Sequence, residues 1–265
     1  MYEFNYEHPG SADAAVKLAT EDSRYLAGGQ SLIQSMKLRL ASAENLIDLS
    51  AIDGLSGITV SADGVRIGAM TTHNAVARSA DVIKSIPALA QLASGIGDQM
   101  VRNMGTLGGS IANSDPAACY PAAALALAAT IHTHKRDLPA DGFFTGLFET
   151  SLDAGELITA VTFAIPKRAA YVKFKQPASR FALVGVMVAE HADGVRVAAT
   201  GASDHAFRIT DFEQALNGNF AASALSGKEI SADGLNSDIH GSAQYRAAMV
   251  GVMARRAVAA AGGKA

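Results

Sequence analysis

Two pairs of adjacent glycines constrain this chain more than any other feature: Gly28-Gly29, within Ala27-Gly28-Gly29-Gln30-Ser31-Leu32, and Gly108-Gly109, within Thr106-Leu107-Gly108-Gly109-Ser110. An extended run from Arg24 to Ala27 leads into the first pair. The second lies in a glycine-rich segment, Gly105 to Pro116, which reads as a turn ahead of an alanine-rich helix from Pro121 to Ala129. Consecutive residues without Cβ atoms let backbone N–H groups converge on one concavity, and nearby hydroxyls add donors to anionic oxygens. One such segment is also what a plain tight turn looks like. Two of them, each beside a hydroxyl, predict opposite walls of a single diphosphate site. Neither continues as Gly-Lys-Ser/Thr and neither is GxGxxG, so a P-loop and a Rossmann site are both disfavoured.

The remaining pattern mixes helices and strands. Ser11 caps a short helix over SADAAVKLAT. Short β-rich runs follow at Asn45 to Ser50, Gly57 to Val60 and Val65 to Met70, the last two joined at Asp63-Gly64, a hairpin signal. Thr72 to Gly95 reads as helical with a break before Pro87. Pro121 suits the first position of its helix. Further strands are expected at Thr130 to His134, Leu157 to Ile165, Tyr171 to Lys175, Phe181 to Glu190 and Val195 to Thr200. A closing helix runs from Gln244 to Ala261, with Tyr245, Ala248, Met249, Val252, Met253 and Val258 as its apolar face. At ~150 residues per domain, 265 residues divide in two, and Pro166 with Lys167-Arg168 marks the boundary, giving domains 1–166 and 167–265.

Composition removes several functions. The net charge is −3 and the basic residues are scattered, so no nucleic-acid partner is expected. The longest uncharged apolar stretch, Cys119 to Ile131, is shorter than the ~20 residues a spanning helix needs, so no membrane insertion is expected. Cys119 is the single cysteine. It excludes an internal disulfide and an iron–sulfur cluster or cysteine-rich zinc site held by this chain alone. With a start, MYEFNYEHPG, that has neither a basic nor an apolar leader region, the expected location is cytoplasmic. His132 and His134 alternate with Thr, but no third ligand is in view, so no metal site is expected, and no residue stands out as a catalytic acid or base.

The segments LAGGQSLIQSMKLRL, IGAMTTHNAV, MGTLGGSIANSDPAACYPAAALAL, GELITAVTFAIP, FKQPASRFALVGV and GSAQYRAAMVGVMARRAV keep their order over nearly the whole chain. Together they resemble the FAD-binding medium subunit of the molybdenum hydroxylases, the family of carbon monoxide dehydrogenase and xanthine dehydrogenase. The resemblance implies an α+β protein: a vanillyl-alcohol-oxidase-type (PCMH-type) FAD-binding domain of two subdomains, then a C-terminal α+β domain like that of the carbon monoxide dehydrogenase flavoprotein. It also implies a set of cofactor contacts. Ala27, Gly28, Gly29, Gln30, Ser31 and Leu32, with Thr106, Gly108, Gly109 and Ser110, would hold the pyrophosphate. Asn113 and Asp115 would contact the ribityl or ribose portion, although an Asp before Pro116 also suits an Asx turn. Thr71 and Thr72 would line the inner part of the site, Leu157 and Ile158 would pack near the isoalloxazine, and Lys175 would reach the flavin ring.

Two departures stand out. Many members carry an acidic residue where this chain has Cys119, and Gln30 stands where a related branch attaches FAD covalently through His, so non-covalent FAD is expected. The molybdenum cofactor and [2Fe-2S] clusters would belong to a large molybdenum-binding subunit and a small iron–sulfur subunit, in a dimer of heterotrimers. The implied function is electron transfer through FAD from the partner's clusters to an external acceptor. A stand-alone flavin oxidase or reductase and a flavin-free structural subunit are the alternatives. The first would need its own acid or base, and the intact glycines weigh against the second.

Overall fold

The computed structural model describes residues 1–262. The chain opens with a small βαβ-type layer: β1 (Asn5–Glu7), α1 (Ala12–Leu18), β2 (Ser23–Leu26), α2 (Leu32–Lys37) and β3 (Asn45–Asp48), whose strands pair in parallel in the order β1-β3-β2. Ser11 caps α1 as its sequence predicts, its Oγ accepting from the Ala14 N–H.

A second unit is built on a five-stranded antiparallel sheet. Its members are β4 (Ile58–Ser61), β5 (Gly64–Gly68), β6 (Thr130–Thr133), β7 (Asp137–Pro139) and, after a small hairpin of β8 (Phe144–Gly146) and β9 (Glu149–Thr150), β10 (Ile158–Phe163). Between β5 and β6 come six helices: α3 (His73–Arg78), α4 (Ala80–Ser85), α5 (Pro87–Ser94), α6 (Gln99–Met104), α7 (Leu107–Asn113) and α8 (Cys119–Ala126). Two expectations change here. The second glycine pair lies in the first turn of α7, capped by Thr106 through the Gly109 N–H, rather than in an open turn. Helix α8 begins at Cys119, leaving Pro121 third; a proline fits there because the first few N–H groups of a helix have no intrahelical acceptor.

The third unit is an antiparallel sheet of β11 (Arg168–Lys175), β12 (Ala182–Glu190), β13 (Val195–Thr200) and β14 (Phe207–Arg208), followed by α9 (Thr210–Gly218) and α10 (Ala243–Gly262). Alternation along the strands splits its side chains between two cores. Tyr171, Met187, Ala189 and Ala198 join the alanine-rich α8 in one cluster. Val184, Val186, Val188 and Val197 face Val250, Met253, Ala254 and Ala257 of α10 in the other. The buried stripe of α10 matches the expected face only in part: Met253 and Val258 are inside, joined by Ala247, Val250, Ala254 and Ala257, Met249 and Val252 pack at its edge, and Tyr245 stays 43% exposed. Small residues win this face because they bring the helix close to the sheet. Arg246, also buried, reaches the Leu183 and Gly201 carbonyls and the Asp238 carboxylate. The chain crosses from one large sheet to the other between Phe163 and Arg168. No helix among the described residues is long and apolar enough to cross a membrane.

Candidate functional site

A cavity of about 480 Å³ opens where the three units meet, a size in the range of cofactor pockets. Both glycine pairs line it, and they touch each other. A Cβ on Gly28 would overlap the Met104 carbonyl oxygen just ahead of Gly105, and one on Gly109 would stand 3.5 Å from the Ala27 Cβ. A Cβ on Gly108 would come within 2.5 Å of the Ala69 Cβ and 2.8 Å of its backbone. Gly28 and Gly108 therefore permit backbone-to-backbone packing behind the wall. Gly29 serves another need, since its φ of +70° is a conformation that L side chains rarely adopt.

The expectation of donors from both pairs is corrected by the hydrogen bonding. In the second segment the N–H groups of residues 107–110 are spent: Leu107 donates to the Thr71 carbonyl, Gly108 to the Ala69 carbonyl, Gly109 to Thr106 Oγ1 and Ser110 to the Thr106 carbonyl. Among the described residues, the N–H groups of Gly28, Gly29, Gln30, Ser31 and Leu32 donate to no protein acceptor. The first segment is the donor cradle. The second is a close-packed wall carrying the Ser110 hydroxyl.

Fourteen of the seventeen residues singled out from the sequence line the cavity: Ala27 to Leu32, Thr106, Gly108, Gly109, Ser110, Asn113, Asp115, Leu157 and Ile158. Asp115 has a local task as well, its Oδ1 accepting the Ala117 N–H at 2.8 Å, and burial raises its pKa. The other three do not line it. The Thr71 hydroxyl is buried against the Gly57 backbone, and Thr72 caps α3 through the Ala75 N–H. Their neighbours Ala69, Met70 and His73 occupy the wall instead.

Lys175 is exposed, and the lysine at the cavity is Lys173. Two residues apart on a regular strand would share a face, but the register slips between Phe174 and Lys175, so Lys175 turns away. Lys173 Nζ donates to the Gly95 carbonyl at 2.8 Å, the Arg180 carbonyl at 3.0 Å and Cys119 Sγ at 3.5 Å. Arg180 itself reaches the Gly97 carbonyl, so the β11–β12 loop, with Phe181, closes one end of the cavity against the segment after α5.

The opposite end is anchored differently. Leu157 belongs to a cluster with Ile47, Leu49, Ile52 and Leu55, against which Tyr25 and Met70 pack. Its backbone is pinned by His134, whose N–H donates to the Leu157 carbonyl and whose Nδ1 accepts the Leu157 N–H. The loop before it is clamped by Glu156. That carboxylate takes two hydrogen bonds from Arg136, one from the Thr133 hydroxyl and one from the Asp153 N–H. The Arg136 hydrogen bonds hold its pKa down to about 2.

Sequence reasoning missed His73, Tyr25, Arg180 and Phe181. His73 is buried beside Tyr120, with ring centroids 5.3 Å apart, and burial, reinforced by the Arg102 charge, pushes its pKa down to about 4. It is a neutral wall residue at physiological pH. No sequence signal separates it from an ordinary helix-start histidine.

Uncommitted N–H donors in one glycine segment, a Cβ-poor wall opposite, the Asn113 and Asp115 side chains and one lysine beside an aromatic ring fit an elongated ligand with an anionic middle and a flat ring. That donor set suits FAD. Residues 2–167 match the family described as the FAD binding domain in molybdopterin dehydrogenase. The chain is 37% identical to the nicotine 6-hydroxylase medium subunit of Paenarthrobacter nicotinovorans, covering 98% of this chain and 97% of the relative. It is 36% identical to the carbon monoxide dehydrogenase medium chain of Hydrogenophaga pseudoflava, covering 97% and 96%. Among solved structures, reconstituted CO dehydrogenase from Oligotropha carboxidovorans superposes with a TM-score of 0.91 at 33% identity, over 100% of this chain and 99% of that one. Quinoline 2-oxidoreductase from Pseudomonas putida 86 gives 0.88 at 29% identity, over 98% and 97%.

The chain belongs to the FAD-binding medium subunits of the molybdenum hydroxylases. It is an oxidoreductase subunit with the α+β fold of the carbon monoxide dehydrogenase medium chains.

Proposed function

We propose that this subunit binds FAD non-covalently in the cavity, accepts electrons from iron–sulfur clusters of a small partner subunit and passes them to an external acceptor. Substrate oxidation takes place at a molybdenum cofactor in a large partner, in a cytoplasmic complex arranged as a dimer of heterotrimers. The observation that carries the reading is the run of uncommitted N–H groups from Gly28 to Leu32 facing a wall in which the N–H groups of residues 107–110 are spent. Such a run cradles a diphosphate.

Each end of the cavity then has a role. Lys173 and Phe181 take the isoalloxazine end, where an ammonium favours the anionic reduced ring. The wall at Leu157, which is tied to Leu49 and Tyr25, and at the adjoining Ile158 takes the nucleotide end instead of the ring. FAD supplies one- and two-electron exchange when bound. The protein side chains bind it, orient it and tune its potential. His73 and Asp115 line the cavity, but neither is required to move a proton. Stopped-flow reduction tests the assignment. The lone subunit should show no flavin reduction by a hydroxylase substrate, and reduction should appear on adding the molybdenum and iron–sulfur subunits. Substrate-driven reduction of the lone subunit at the rate of the complex would establish a stand-alone flavoenzyme instead.

A further inference from the structure

Cys119, the single thiol of the chain, sits on the cavity wall with 5% exposure. Two groups of β11 lie near it. The Lys173 ammonium donates to it at 3.5 Å, its other hydrogen bonds running to two backbone carbonyls. The Tyr171 hydroxyl, on a residue 8% exposed and with no hydrogen-bond partner, lies in the same buried cluster as Cys119, which adds to the burial that raises its pKa. The space it occupies exists because residue 185 is glycine, where a Cβ would overlap the hydroxyl oxygen. A thiol is a weak acceptor for either neighbour. An ammonium at the sulfur and a free hydroxyl in the same cluster are the donor set for an anionic oxygen attached to that sulfur.

We infer that Cys119 is a peroxide-modified site, its thiol converted to a sulfenic acid whose oxygen is held by Lys173 and Tyr171. In that step the sulfur attacks one oxygen of hydrogen peroxide, the O–O bond breaks and an S–O bond forms. The sulfur is oxidised by two electrons, the second peroxide oxygen leaves as water, and the balance is one thiol and one peroxide giving one sulfenic acid and one water. The oxidant is hydrogen peroxide, which FAD, when bound and reduced, would supply by reaction with dioxygen. The local source therefore rests on the FAD reading, whereas the chemistry at Cys119 does not. Oxidation draws Lys173 toward the new oxygen and away from the ring edge, so the redox history of the cavity is written onto the lysine that tunes it.

The test treats the FAD-loaded protein with hydrogen peroxide in the presence of dimedone and maps the adduct by peptide mass spectrometry, with flavin content read separately on the same sample. A dimedone adduct at Cys119 is expected in the wild-type protein, forming about tenfold more slowly in Lys173→Met and recovering in Lys173→Arg. In Tyr171→Phe the sulfenic acid should pass faster to the sulfinic acid. Absence of an adduct while a free cysteine peptide in the same tube is modified would overturn the inference. So would equal rates in wild type and Lys173→Met. A purified protein that takes up no FAD before peroxide is added, yet still forms the adduct at Cys119, would count against the FAD reading alone.

Discussion

The two glycine pairs look alike in sequence and differ in what they do. Gly28-Gly29 ends a strand, turns through a positive φ at Gly29 and leaves the N–H groups of residues 28–32 free. Gly108-Gly109 starts a helix in which each of the corresponding N–H groups already has a protein acceptor. A glycine pair is thus a statement about missing Cβ atoms, and what the missing atoms make room for is decided by the neighbours. At the first pair the space is taken by the Met104 carbonyl behind Gly28 and by the left-handed turn at Gly29; at the second it is taken by Ala69 behind Gly108.

The largest effect should come from the glycines used for packing. Gly108→Val would drive a branched side chain into Ala69 from a fully enclosed position, and destabilisation of about 3 kcal/mol or more is expected, lowering the thermal midpoint by about 10 °C. Thermal unfolding followed by circular dichroism measures it, and a midpoint matching wild type would show that the wall is not close-packed. Gly29→Val comes next and should separate binding from folding. Its left-handed φ costs a β-branched residue about 1–2 kcal/mol, leaving a folded chain whose turn no longer presents its donors. Bound flavin should fall at least about tenfold, against only a few-fold loss in Ser110→Ala, where one hydroxyl is removed. Equal losses in the two variants would erase the distinction between cradle and wall.

A smaller effect is expected at the lysines. Lys173→Met removes a cation beside the ring end, and a loss of about 1–3 kcal/mol from the reduced state lowers the two-electron midpoint by ~20 to 65 mV. Lys175→Met should leave it unchanged, and spectroelectrochemical titration compares them. A shift at Lys175 alone would restore the assignment the sequence suggested.

A separate effect is a pH dependence at the other end of the cavity. Glu156 has its pKa depressed from 4.5 to about 2 in the folded chain, chiefly by Arg136. Its contribution is therefore complete above pH 4.5 and is lost as the pH falls toward 2. Urea unfolding between those limits should show wild type losing more stability than Glu156→Gln. Parallel curves would remove the clamp from the account.

Much of this was legible in the sequence because it rests on local signals. The Asp63-Gly64 hairpin, the Ser11 cap and the strand starts follow from turn and capping chemistry, and the glycine segments mark the cavity wall. What was not legible depends on contacts between distant segments. Nothing near Gly108 says that Ala69 will lie against it and accept its N–H. Thr71 and Thr72 sit beside true wall residues, but their hydroxyls are claimed by Gly57 and by the cap of α3. Lys173 and Lys175 are told apart only by a register slip near the end of β11. The buried stripe of α10 was obscured because alanine at nearly every turn makes several faces equally able to pack.

Titration of the apoprotein with FAD, FMN and riboflavin tests the central claim most directly, because the three share a ring and ribityl chain and end in an adenosine-linked diphosphate, a single phosphate and a bare hydroxyl. One FAD per chain is expected, with FMN and riboflavin weaker by at least about a hundredfold, since several N–H donors would lose their anionic acceptor. Riboflavin binding as tightly as FAD, or no flavin binding at all, would contradict a cavity built around the diphosphate.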